Sequence, residues 1–295
     1  MPSMKHIKRR ISSIKSTKQI MKAMNLVAAS KLQKAKQRLD AVRPMFREIQ
    51  QIMDSVRDHE GAEQSVYFNG REEVKNAAYV IIASDRGLCG GYNINLSKEA
   101  MGFFNSNSLK HPQKKEIIIT LGNKGWEYLR RRGRIALHKY EGPSVNVSYA
   151  DAEKIGSLLY SMYTLGEIDE AYVVYTTFKS VLTHIPKVAR ILPIGSIESS
   201  KEAASADAYK KRMIFDPDIK GFMNYAVPLY LNTFMYGAMT EAYVCEEASR
   251  MTSMDSATKN ASDIMDDLTL IYNRTRQSLI TQEITEIVSG ANALQ

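Results

Sequence analysis

The sequence predicts an α/β fold in which a long antiparallel coiled coil of the N- and C-terminal helices carries a Rossmann-like α/β domain inserted between them. Three observations predict it. Apolar residues recur every seventh position from Ile7 to Val56, a related repeat runs through a proline-free stretch after Pro228, and short apolar runs alternate with helical stretches in between. The expected parts are a coiled-coil helix over residues 1–60, an α/β domain over 70–197, a flexible connection over 198–214 and a second coiled-coil helix over 215–295.

The first helix is read from two interleaved series. Ile7, Ile14, Met21, Ala28, Ala35, Val42, Ile49 and Val56 form one, and Ile11, Lys18, Asn25, Leu32, Leu39, Phe46 and Met53 form the other. Alternating steps of four and three leave a narrow apolar seam, the pattern of a coiled-coil strand. At about 1.5 Å per residue such a helix is roughly 75 Å long, so it needs a partner along its length. The C-terminal stretch offers one: Val244, Met251, Met265, Tyr272 and Leu279 recur at multiples of seven, with Thr258 as the polar exception and Ala248, Met254, Ala261 and Leu268 between them. Residues 1–38 hold eleven Lys/Arg and no Asp/Glu, whereas residues 241–295 hold nine Asp/Glu and four Lys/Arg. Opposite charges beside a shared seam favour that pairing over self-pairing, although exposed pairs add little stability. Two independent amphipathic helices on a globular body are the other reading of the same periodicity.

Between the helices, AAYVIIA (77–83), EIIIT (116–120), AYVVYTTF (171–178) and KVARILPI (187–194) read as strands. Helical stretches are expected over 95–104, in WEYLRRR behind Gly122, and over 150–165. Continuous apolar strands separated by helices indicate an α/β layer with a largely parallel sheet. Residues 198–212, rich in Ser, Ala, Glu and Lys, read as a loop or flexible insertion.

Composition narrows the function classes. The net charge of +8 is concentrated in residues 1–60, where fourteen basic and five acidic groups give +9. A basic arm suits an acidic partner. Here, however, the cations are mostly Lys interspersed with a continuing seam, unlike a base-reading region. Two cysteines, Cys89 and Cys245, are too few for a disulfide scaffold and fit a reducing compartment. No apolar run approaches a membrane span, and MPSMKHIKRR lacks the apolar core of a secretory signal.

SDRGLCGG, directly after the first strand, lies where phosphate-binding loops sit. Gly87, Gly90 and Gly91 nevertheless miss the dinucleotide spacing, and no Gly-Lys-Ser/Thr follows. The segment is therefore taken as a structural turn formed by Asp85, Arg86, Gly87, Cys89, Gly90 and Gly91, its glycines supplying positive φ. Asp85 and Arg86 suit an ion pair or loop hydrogen bonds. The histidines His6, His59, His111, His138 and His184 form no metal-spaced pair, and Asp266 with Asp267 reads as a solvated helix face. These residues nominate no catalytic, cofactor or metal site.

Three stretches resemble the γ subunits of F-type ATP synthases: IKRRISSIKSTKQIMKAMNLVAASKLQKAK, SDRGLCGGYNINL, and RMTSMDSATKNASDIMDDLTLIYNRTRQSLITQEITEIVSGANAL. The resemblance covers the chain in order. It implies a central rotor shaft turning inside a ring of three α and three β subunits, with its α/β foot against the ε subunit and the membrane c-ring. It further implies that MgATP and MgADP are held by the α and β partners, that this chain binds no cofactor and no nucleic acid, and that it is a non-catalytic subunit. The absent cysteine-bearing insertion fits a bacterial chain, peripheral on the cytoplasmic face of the cell membrane. Carried over by motif, the ring interface comprises Met24, Lys8, Arg9, Lys15, Arg250, Gln277, Thr281 and Glu283. Ile284, Ile287, Val288, Ala291 and Leu294 would form a bearing tail, and Tyr209, Lys210 and Lys211 would touch the c-ring or ε. A Rossmann-type nucleotide-binding protein and a basic coiled-coil nucleic-acid binder are the alternatives.

Overall fold

The structure, a computed structural model, describes residues 4–57, 65–110, 113–143, 147–195 and 218–292. Two long helices dominate it, α1 (Met4–Arg57) and α6 (Ile219–Asn292). Between them lie α2 (Val66–Asn69), β1 (Asn76–Ile82), α3 (Tyr92–Lys110), β2 (Lys115–Leu121), α4 (Asn123–Arg130), β3 (His138–Tyr140), α5 (Tyr149–Thr164), β4 (Glu170–Phe178) and β5 (His184–Leu192). The chain divides into two compact units, residues 1–29 with 250–295, and residues 30–249.

In the first unit the two helices run antiparallel along the expected seam. Ile7 and Ala28 are buried, while Ile11, Ile14, Met21 and Asn25 are half-buried. On the facing helix Met254 and Ala261 are buried, with Met265, Leu268 and Tyr272 half-buried. Asn25 fixes the register by donating its amide Nδ2–H to the Met251 carbonyl at 2.9 Å. Counting the same number of residues outward from each partner sets Met4 level with Tyr272. From Arg276 through Gly290 every α6 residue is exposed, so the seam ends where the described part of α1 does. Among the described residues none pairs with 276–292, which continue as helix for about 25 Å.

The second unit is built on a five-stranded sheet of order β3-β2-β1-β4-β5. β1 pairs in parallel with β2 and β4, β2 pairs in parallel with β3, and β4 pairs antiparallel with β5. Alternate residues of each strand face opposite layers. Ala78, Val80, Ile82, Ile119 and Leu121 pack with Ile155 and Leu159 of α5 and with Val227, Leu231 and Met235 of α6. Ala77, Tyr79, Ile81 and Ile118 meet Leu96, Ala100 and Phe104 of α3 and Leu129 of α4. Burial on both faces is why these strands read as continuous apolar runs.

Three details differ from the sequence reading. β3 was not expected; it is three residues long and is defined by its pairing to Ile119–Leu121. β5 runs antiparallel, because only five residues separate it from β4, too few for a crossover. α3 begins at Tyr92 and ends at Lys110, longer at both ends than the expected 95–104. The tract over 198–212 lies outside the described residues.

Candidate partner-binding interface

The α1 cations Lys8, Arg9 and Lys15 are exposed, off the seam, while Met24 is half-buried at its margin. Gln277, Glu283, Ile284, Ile287 and Val288 are all exposed on the end of α6. Ile280, Ile284, Ile287 and Val288 recur at helical spacing and form one apolar stripe, with Ile287 71% exposed. Thr281 is exposed as well, and its hydroxyl donates to the Gln277 carbonyl at 3.0 Å. The same i−4 bond is made by Thr269, Thr275 and Thr285. Arg250 behaves differently: it is only 9% exposed, so most of its side chain is covered within the chain. Leu294, Tyr209, Lys210 and Lys211 lie outside the described residues, as does the side chain of Ala291.

The structure adds surface that the seam analysis missed. Ile20, Leu26 and Val27 on α1 and Ile264, Leu270 and Ile271 on α6 are exposed. Ile20 with Val27, and Ile264 with Ile271, are seven apart. The signal was present as a second heptad series outside the two seam positions. Apolar side chains repeated along the outside of a coil mark a surface that another chain covers.

The turn after β1 is built by side chains folding onto backbone. Ser84 N–H donates to Asn93 Oδ1 at 3.1 Å, and the Ser84 hydroxyl donates to the Arg86 carbonyl at 2.7 Å. Asn93 Nδ2–H reaches Cys89 Sγ at 3.1 Å. Asp85 accepts Asn123 N–H at 2.9 Å on one oxygen and Gly142 N–H at 2.8 Å on the other. Its carboxylate thus occupies the amino end of α4 and ties together the segments following β1, β2 and β3. At α5 the same role falls to Ser148, whose hydroxyl oxygen accepts Asp151 N–H at 3.1 Å. Of the three glycines only Gly90 has positive φ, at 55°, and the non-glycine Leu88 shares that region at 62°. Arg86 is exposed, and Cys89 packs with Tyr92 and Cys245 in a small buried cluster.

Two further polar arrangements hold the α/β unit. Arg43 lies 3.6 Å from Glu241, whose Oε1 accepts Phe178 N–H at 3.0 Å. Burial nevertheless pushes the Glu241 carboxyl up from its ordinary value, with that N–H and Arg43 opposing. Asp169 accepts Lys75 N–H at 2.8 Å and Asn76 N–H at 2.9 Å, and pairs with Arg71 at 3.0 Å. Burial raises its pKa, but these donors outweigh it and hold the carboxyl below the usual range.

Among the described residues no group of three or more His, Cys, Asp or Glu is placed to hold a metal ion, and no helix is long and apolar enough to cross a membrane. A small cavity of about 40 Å³ lies beside Arg43, Phe46, Phe234 and Glu241, room for little more than water.

The comparisons with known proteins agree with one another. A family model described as ATP synthase matches residues 3–294. An ATP synthase gamma chain from Alkaliphilus metalliredigens is 40% identical over 295 residues, covering 99% of each chain. One from Exiguobacterium sibiricum is 39% identical over 295 residues and covers all of both. Among solved structures, a chain of the Euglena gracilis mitochondrial ATP synthase OSCP/F1/c-ring assembly superimposes with a TM-score of 0.66 at 16% identity, over 99% of this chain and 94% of that one. A chain from the Tetrahymena thermophila mitochondrial central stalk and c-ring gives 0.62 at 23% identity, over 81% and 99%. At these identities the structures speak for the fold.

Proposed function

The chain belongs to the ATP synthase gamma-chain family, and from that premise we propose that it is the rotor shaft of an F-type ATP synthase. It would couple ion flow through a membrane c-ring to ATP synthesis or hydrolysis at a ring of α and β subunits. The observation that carries this reading is the end of α6, whose apolar stripe of Ile280, Ile284, Ile287 and Val288 is covered by none of the described residues. Apolar contact is non-directional, so such a stripe can turn within an apolar collar without one angle being pinned by hydrogen bonds. The outer series on the coil, Ile20 with Val27 and Ile264 with Ile271, extends the same kind of surface inward from the tip.

The chain's part would be mechanical, with no catalytic site of its own and MgATP and MgADP held by its partners. Supporting this, the starts of α4 and α5 already carry protein groups, Asp85 and Ser148. ε and the c-ring would meet the α/β body, and the complex would sit at the cytoplasmic face of a bacterial membrane. Lys8, Arg9 and Lys15, exposed off the seam, would face acidic loops of the ring. Reversing these three charges is expected to slow ring engagement while leaving the chain's melting unchanged.

The test is reconstitution with matching α and β subunits, recording assembled mass and ATPase rate together. One copy per ring of six, with sustained MgATP turnover that depends on it, is the expected result. Failure to assemble with subunits competent for other gamma chains would overturn the reading. Enhancement of NADH fluorescence or strongly salt-dependent duplex binding would then move it toward a nucleotide-binding or nucleic-acid-binding role.

A further inference from the structure

One corner of the α/β unit has a chemistry that the shaft role leaves unused. Leu109 at the end of α3 is 85% exposed, and Ile135 and Leu137, between α4 and β3, are 85% and 61% exposed. Glu116 of β2 brings them together. Its carboxylate accepts the Ser108 hydroxyl at 2.7 Å and pairs with Arg134, whose guanidinium also lies 5.4 Å from the Phe104 ring. Leu109 and Ile135 each stand one residue from a group held on that single carboxylate. Leu137 is fixed by its own N–H, which donates to the Ile118 carbonyl at 2.8 Å.

Around these tips stand the exposed cations Lys115, Arg130, Arg131 and Arg132. Arg130 and Lys139 both lie 4.4 Å from the Trp126 ring, and Arg132 lies 3.6 Å from the Tyr128 ring. The rings order these side chains through their charged groups, while Arg130, Arg132 and Lys139 remain exposed to water. The carboxylates of this segment are already engaged, Glu116 by Arg134 and Glu127 by Lys124. The corner is therefore a cationic rim around protruding aliphatic side chains.

We infer that this corner rests on an anionic lipid leaflet, with Arg130, Arg131 and Arg132 among the headgroup phosphates and Leu109, Ile135 and Leu137 entering the interface. The tips project from separate segments, which suits a deformable interface better than a shaped protein groove. β3 is only three residues long and gives an incoming strand little edge to extend. Aliphatic tips ringed by basic side chains are the composition of membrane-surface contacts, and each basic residue near an anionic surface adds measurably to binding.

The experiment is co-sedimentation of the full chain with vesicles of phosphatidylcholine alone or with one part in three phosphatidylglycerol. Binding only to the anionic vesicles is expected. R130Q/R131Q/R132Q should weaken it roughly a hundredfold, on the usual contribution of a basic residue at such a surface. L109S/I135S should remove the part that survives high salt. K8Q/R9Q/K15Q on α1 controls for the other basic face and should change binding little. Circular dichroism melts of each variant separate lost contact from lost fold. Equal binding by wild type and the triple arginine variant, or binding abolished by the α1 control, would overturn the inference. Binding to an acidic partner subunit through this corner, with none to vesicles, would overturn it in favour of a protein contact. Ring reconstitution uses neither vesicles nor these residues, so it stands or falls separately.

Discussion

The α/β body and the two-helix coil reach stability by different routes. In the body, strand residues such as Val80, Ile82 and Ile119 lose all contact with water because layers cover both sheet faces. In the coil most seam positions remain half-exposed, and Ile7, Ala28, Met254 and Ala261 are the fully buried ones. A two-stranded coil has only one neighbour per helix, so its burial per residue is bounded by geometry. Dense enclosure makes the body intolerant of small changes. The coil should yield to changes confined to its seam and ignore those outside it.

The largest effect is expected at Gly122. Its φ is +93°, and an added Cβ would stand 2.3 Å from the Ala83 carbonyl oxygen and 2.7 Å from its carbon. Both are backbone atoms and cannot swing away. Gly122→Ala should cost about 3–5 kcal/mol from strain and overpacking combined, read as a fall in the body's unfolding midpoint. Next comes Asp169→Ala, at about 3 kcal/mol, which strands two backbone N–H groups and removes the counter-ion of Arg71, though Arg71 keeps the Ile168 and Tyr163 carbonyls. Asp169 also predicts a pH dependence. Its folded pKa lies below the ordinary value, so its contribution is complete above about pH 4 and fades as the pH falls through the folded pKa. Asp169→Asn should flatten that acid limb of a stability-against-pH curve, and an unchanged limb would assign it to other carboxylates.

Ala28→Asp should cost the coil about 1–3 kcal/mol by placing a charge in the seam. The contrast between units can be read directly, since the single tryptophan, Trp126, lies in the α/β unit. Its fluorescence transition should stay in place while the far-UV helix signal loses an early fraction. If both move together, the two regions share one cooperative unit. The smallest effect on the chain alone belongs to deletion of residues 285–295, whose described part is exposed. It should shift stability by less than about 0.5 kcal/mol and still weaken ring assembly.

The seam was legible in the sequence because a heptad is a local pattern, and Asn25 and Lys18 did not hide it. β3 was not legible, since His138–Tyr140 becomes a strand only through its hydrogen bonds to β2. The antiparallel β5 could have been foreseen from its short link to β4. Asp85 was rightly suspected of loop hydrogen bonds, yet its partners, Asn123 and Gly142, lie 38 and 57 residues away and no local pattern points to them. Arg250 is placed at the ring interface by motif alone, and nothing in that motif foretells that most of its side chain is covered within the chain, which depends on tertiary packing.

The threonines of α6 carry a consequence of their own. With each hydroxyl proton committed to the carbonyl four residues back, Thr269, Thr275, Thr281 and Thr285 have their χ1 angles set before any encounter. A side chain already confined to one rotamer has little freedom left to surrender when a neighbour arrives. Its polar proton is also withdrawn from competition for outside acceptors. At these four positions the helix meets a passing surface with little to reorganise, so contact and release there can both be cheap.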